Sequence, residues 1–214
     1  MASVPSLAWF KGARERDWTG DGRRVAWIST AESEDGRVTM PMLARRLGET
    51  LDAYGFASNF DPAVPADFAG ATVAVIGAHG DIHPHNGFFQ RVSDEGGLKI
   101  TGDDLARALR NVGVVVLFVC SGGRADKHPG ANTTLGLAKA ILDRGCSAVV
   151  ASPWPLDSAV PPNWLPTFMA SWTGGATLMN AVFASNQAAD RRFALDARNG
   201  LAMTVYGDGL LKHP

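Results

Sequence analysis

Two nearly unbroken apolar runs constrain this chain more than any other feature. Ala71 to Ala78 reads ATVAVIGA and Val114 to Val119 reads VVVLFV. Neither shows the alternation of a half-exposed strand, and both have strand rather than helix length. Such runs suit strands covered on both faces, as in a parallel sheet layered between helices. Both stop abruptly on residues with chemistry: the first on His79-Gly80, the second on Cys120-Ser121-Gly122.

The rest of the chain alternates in kind. Arg24 to Thr30 is a short apolar strand. Met40 to Tyr54 carries Leu43, Leu47 and Leu51 at steps of four, a helical stripe that Gly55 ends. Phe56 to Phe60 is a short second strand. Gly87 to Ile100 holds two extended pieces around Asp94-Glu95-Gly96-Gly97, a hairpin signal. Thr101 is a helix N-cap, with Asp103 and Asp104 in the first turn and Leu105 and Leu109 on one face. Thr134 to Asp143 is expected to be helical and closed by Gly145. Ser147 to Ala151 is a strand stopped by Pro153 and Pro155; helices follow near Trp164 to Trp172 and Ala176 to Ala189, then a last strand, Ala202 to Tyr206. This order predicts an α/β sheet with helices on both faces and right-handed crossovers. Residues 1–22 read as an N-terminal extension and 23–214 as one domain.

With 46% hydrophobic and 19% charged residues, the composition is that of an ordinary globular protein. A formal charge of −1 provides no general pull toward nucleic acid or an acidic membrane, and no apolar run is long enough to span a bilayer. Cys120 and Cys146 flank strand-like runs instead of forming a spaced framework, and the first residues lack a signal peptide's pattern. The expectation is free thiols in the cytoplasm.

Ligand and catalytic sites of open α/β sheets lie at the carboxyl ends of the strands. A thiolate is a nucleophile, and a neighbouring imidazole can take its proton and later protonate a leaving amine. Gly80 lets a substrate carbonyl approach the main chain, so the amides of Gly80 and Cys120 can serve as an oxyanion hole. The alternative is structural: free cysteine is among the most buried residue types. Cys146, with no histidine in its own segment, is assigned to the core.

In order along the chain stand VAVIGAHG (Val73 to Gly80), a hairpin, a helix opening with Thr-Gly-Asp-Asp-Leu, VVVLFVCSGG, GLAKAILDRGCSAVVASPWPLD (Gly136 to Asp157) and MTVYGD (Met203 to Asp208). Together these resemble the CHAT domain, a caspase-like module similar to separases, caspases and gingipains. The resemblance implies a caspase-hemoglobinase fold with a six-stranded, mostly parallel sheet. It implies a cysteine endopeptidase without a cofactor, with His79 and Cys120 as its dyad and Gly80 helping to hold the oxyanion. It places the specificity acid on Asp157, which would receive a basic side chain before the cut bond; the other reading is that Asp157 caps the helix starting near Ser158. Expected partners are a protein or peptide substrate and an activating protein. The chain departs from the family's Ser-Ala-Cys-Glu-Thr pattern with Phe-Val-Cys-Ser-Gly-Gly, and it lacks the repeats that often precede a CHAT domain.

Two other readings stay open. A member of such a family can lose activity and act as a binding scaffold. In HGDIHPH, the residues His79, Asp81, His83 and His85 are dense enough to hold a divalent metal, which would suit a metal-dependent hydrolase.

Overall fold

The computed structural model describes residues 2–16, 18–30, 36–82, 90–95, 98–127, 134–192 and 203–214. A two-residue strand, β1 (Ala2–Ser3), and helix α1 (Leu7–Arg14) come first. Then follow β2 (Arg24–Ile28), α2 (Gly36–Ala53), β3 (Ala57–Asn59) and β4 (Val73–Ala78). A small antiparallel sheet of β5 (Gly80–Ile82), β6 (Gln90–Glu95) and β7 (Leu98–Thr101) leads into α3 (Gly102–Ala108). The chain returns with β8 (Val114–Val119), the short pair β9 (Asp126–Lys127) and β10 (Thr134–Leu135), and α4 (Leu137–Asp143). It ends with β11 (Ala148–Ala151), α5 (Val160–Thr173), α6 (Leu178–Arg192) and β12 (Thr204–Gly207).

The main sheet has the order β1-β12-β11-β8-β4-β2-β3. From β11 to β3 every pairing is parallel, and β12 runs antiparallel to β11. The expected six-stranded, mostly parallel sheet is present, and β1 adds a short seventh strand beside β12. Both apolar runs are central strands, buried along their whole length.

The pleat sorts their side chains into two cores. Val73, Val75, Val114, Val116 and Phe118 face α2, α5 and α6. Ala74, Ile76, Ala78, Val115, Leu117 and Val119 face α3 and α4. In α5, Trp164, Phe168 and Trp172 recur at steps of four and so share a face. The Trp164 and Phe168 rings stack at 4.7 Å, and Trp164 meets Phe118 edge-on at 5.8 Å. Burying each such ring contributes about 1.5–3 kcal/mol, so this stripe pins β8 two residues short of Cys120.

The predicted helix start at Thr134 is corrected. Thr134 and Leu135 pair with Lys127 and Asp126 as strands, and Gly136 is extended at φ 160° and ψ 153°. The helix begins only at Leu137, because pairing across the loop overrides local propensity. The Thr101 cap is present as a full capping box with Asp104. The hairpin is β6 with β7; residues 96 and 97 lie outside the described residues.

The N-terminal stretch lies against the sheet. Arg14 donates to the buried Asp208 carboxylate at 3.0 Å, and Trp18 stacks on Trp172 at 6.1 Å. Among the described residues, no helix is long and apolar enough to cross a membrane.

Candidate active site

The last paired residues of β4 and β8 are Ala78 and Val119. His79 and Cys120 therefore leave neighbouring parallel strands at the same level, roughly 4.8 Å apart in strand spacing. By the count of alternation, His79 falls in the row of Val73 and Val75, and Cys120 in the row of Val116 and Phe118, the row that meets α2 and α5. Leu156 packs against that same face, and its backbone meets the Cys120 sulfur. Both His79 and Cys120 are half-buried.

Gly80 is glycine because of contact. It is not among the glycines with a left-handed backbone. A Cβ built on it would lie 2.6 Å from Val119 Cγ1 and 3.0 Å from the Cys120 nitrogen, and closer still to the Cys120 carbonyl oxygen. The main chains of Gly80 and Cys120 thus abut, which brings together the two residues whose amides were expected to hold an oxyanion.

After Cys120 the chain turns sharply. Ser121 has φ +58°, an uncommon conformation for a residue with a side chain. The turn is tied down by Ser121 N–H to Trp154 O at 3.0 Å, Gly122 N–H to Val119 O at 3.0 Å and Gly123 N–H to Ser152 O at 2.7 Å. Gly123 is also glycine because of contact, here with a distant strand. A Cβ there would lie 2.6 Å from the Tyr206 hydroxyl oxygen. Tyr206 comes from the closing strand β12, and burial pushes its phenol up to about 12.

The segment after β11 forms the other wall. Leu156 N–H donates to Cys120 Sγ at 3.4 Å, and its carbonyl oxygen lies 3.8 Å from the same sulfur. Asp157 follows directly and is exposed. Its Oδ1 accepts the Ala159 N–H at 2.8 Å and its carbonyl accepts the Val160 N–H at 2.9 Å. Asp157 therefore makes the turn that leads into α5, whose N-cap is Ala159.

Cys146 is fully buried, as expected of a core residue. Its thiol donates to Leu109 O at 3.1 Å, and burial pushes it up to about 12. Of the histidine-rich stretch, His83 and His85 lie outside the described residues; among the described residues no group of three His, Cys, Asp or Glu is placed to hold a metal.

Sequence reasoning missed Ser152 and Leu156. A serine at a strand end before Pro-Trp is a turn signal, but nothing local says which sulfur the turn reaches.

The family model for the CHAT domain matches residues 58–192, which include His79, Cys120 and Asp157. This chain belongs to the CHAT domain family. Among solved structures, this CHAT chain is similar to the Arg-specific cysteine proteinase gingipain R, with TM-score 0.58 and 16% identity over 91% of this chain and 48% of that one. It is also similar to the complex of Porphyromonas gingivalis RgpB pro- and mature domains, with TM-score 0.55 and 17% identity over 91% and 49% of the two chains. The Saccharomyces cerevisiae separase–securin complex gives TM-score 0.57 and 13% identity over 95% of this chain and 14% of that one. At such identities the likeness is one of fold: the CHAT chain has the caspase-like cysteine-peptidase fold. It spans about half the length of the proteinase chains and far less of separase. No curated protein sequence matches it.

Proposed function

We propose that this CHAT domain is a cysteine endopeptidase with Cys120 as nucleophile and His79 as general acid and base. The observation that carries the reading is the junction of the β4 and β8 ends, in register and with the Gly80 and Cys120 main chains in contact. The Cys120 thiol passes its proton to His79, and the sulfur attacks the substrate carbonyl carbon. The Gly80 and Cys120 amides hold the oxyanion, the kind of interaction worth about 3 kcal/mol per donor. The carbon–nitrogen bond breaks as His79 protonates the leaving amine, leaving a thioester. His79 then takes a proton from water, whose oxygen attacks the thioester and releases the acid and the Cys120 thiol.

Asp157 sets the preference. Its Oδ1 holds the turn into α5, and Oδ2 receives an Arg or Lys side chain before the cut bond. An activating protein partner and a cytoplasmic setting complete the proposal.

The test is turnover of a fluorogenic panel with Arg, Lys or Asp before the bond, using wild type, Cys120→Ala and His79→Ala. Basic substrates are expected to be cut by wild type alone. Wild-type turnover by either variant would remove the dyad, and a preference for Asp would remove Asp157 from the pocket. Rapid labelling of Cys120 but not Cys146 by iodoacetamide is expected at neutral pH; a silent Cys120 would instead favour a binding scaffold.

A further inference from the structure

Ser152 is fully buried at the end of β11, next to the site yet outside the proposed chemistry. Its hydroxyl donates to Trp154 O at 2.9 Å and accepts from Trp154 N–H at 3.4 Å. Its own carbonyl accepts the Gly123 N–H at 2.7 Å. The Trp154 carbonyl that takes the Ser152 hydroxyl also takes the Ser121 N–H at 3.0 Å. Two residues further on, the Leu156 N–H reaches the Cys120 sulfur at 3.4 Å. The 152–156 turn, closed on itself by the Ser152 hydroxyl, thus meets both sides of the cysteine: its sulfur through the Leu156 N–H, and the main chain after it through the Trp154 and Ser152 carbonyls.

A cysteine side chain has three staggered positions about its first bond, and a sulfur at a strand end needs something to select one. A backbone N–H donor does this, provided the loop carrying it is itself fixed. The loop is stopped from continuing β11 by Pro153 and Pro155, which supply no N–H of their own. The Ser152 hydroxyl is the side-chain group that closes the turn on itself, in the manner of a serine turn.

We propose that Ser152 is a positioning residue for Cys120, acting through the Leu156 N–H that holds the sulfur in the orientation for attack. The inference rests on the reading of Cys120 as the attacking group. It adds a residue to the site that touches neither substrate nor the reacting atoms.

The experiment combines amide hydrogen exchange by NMR with turnover, on wild type, Cys120→Ala, Ser152→Ala and Ser152→Thr. The Leu156 amide is expected to exchange at least several-fold faster in Cys120→Ala, which removes its acceptor, and in Ser152→Ala, which frees the loop, since one net hydrogen bond is worth roughly a fivefold change. The Ser121 amide is expected to quicken in Ser152→Ala and to hold in Cys120→Ala. In Ser152→Ala, kcat falls about five- to tenfold, on the scale of one lost hydrogen bond, while KM stays put. Ser152→Thr, which keeps the hydroxyl, restores both readouts. Unchanged Leu156 exchange in Cys120→Ala would overturn the sulfur contact, and wild-type kcat in Ser152→Ala would overturn the positioning role. If Ser152→Ala does not fold, the Cys120→Ala exchange and the turnover of Ser152→Thr decide: slow Leu156 exchange in the former, or loss of kcat in the latter, refutes the proposal. If wild type cuts nothing without its activating partner, the exchange comparison alone decides the Ser152–Leu156–Cys120 linkage: unchanged Leu156 exchange in Cys120→Ala or in Ser152→Ala refutes the proposal.

Discussion

Replacing Gly80 by alanine adds one methyl group where two main chains touch. The new carbon would lie 2.6 Å from Val119 Cγ1 and 3.0 Å from the Cys120 nitrogen. Both distances fall short of the ~3.5–4.0 Å optimum for carbon contacts by roughly 1 Å at the tightest. The Cys120 carbonyl oxygen is closer still and belongs to the backbone at the end of a fully buried strand, so it cannot swing aside as a side-chain tip does. Overpacking of this kind costs about 1–3 kcal/mol. For a domain of this size that lowers Tm by roughly 2–12 °C, at about 2–4 °C per kcal/mol. The displacement falls on Cys120, the proposed nucleophile, where an error of about 1 Å would cost on the order of a hundredfold in rate. Thermal melts followed by circular dichroism and kcat/KM on a cleaved substrate measure the two effects separately. Gly12→Ala is the control: in α1, with nothing within 4 Å of its Cβ position, it is expected to stabilise by about 0.5–1 kcal/mol. A Gly80→Ala protein that melts within about 1 °C of wild type, well below the overpacking estimate, and keeps its kcat/KM would mean that the Gly80 and Cys120 backbones are not in contact.

Alkaline stability offers a second check. Burial raises the Cys146 thiol from an ordinary 9.0 to about 12 and the Tyr206 phenol from 10.0 to about 12. Between these values the unfolded chain holds fewer protons than the folded one, so this stability is complete below pH 9 and is lost as pH rises toward about 12. Urea midpoints are expected to fall across that window and to fall less in Cys146→Ala; a flat profile would contradict the burial. Arg14→Ala removes the cation paired with the Asp208 carboxylate, which is 1% exposed and keeps the Leu210 N–H on Oδ1, and is expected to cost about 1–3 kcal/mol by urea denaturation. A change within experimental error would mean that α1 does not help to hold the closing strand. The Cys120→Ala and His79→Ala variants are expected to keep wild-type melting curves while losing all turnover, because neither residue belongs to the two cores.

Much of the fold was legible because burial leaves a mark on each segment. The strands before His79 and Cys120 carry no polar side chain, since helices cover both faces of β4 and β8. The leucine steps of α2 and the Thr101 cap are equally local signals. Thr134–Leu135 was not legible: nothing within it announces that Asp126–Lys127 lies opposite. Gly123 was not legible either: the reason it is glycine sits about eighty residues away in Tyr206.

The chain's own order of residues determined that a parallel sheet forms, that histidine and cysteine stand at two of its strand ends, and that the family is CHAT. Tertiary structure alone decided that those ends meet in register, that Gly80 presses on Cys120, and that a turn built by Ser152 reaches the sulfur. Periodicity records how each segment meets the core; which distant segments touch one another depends on how the layers stack, and no single stretch of sequence carries that.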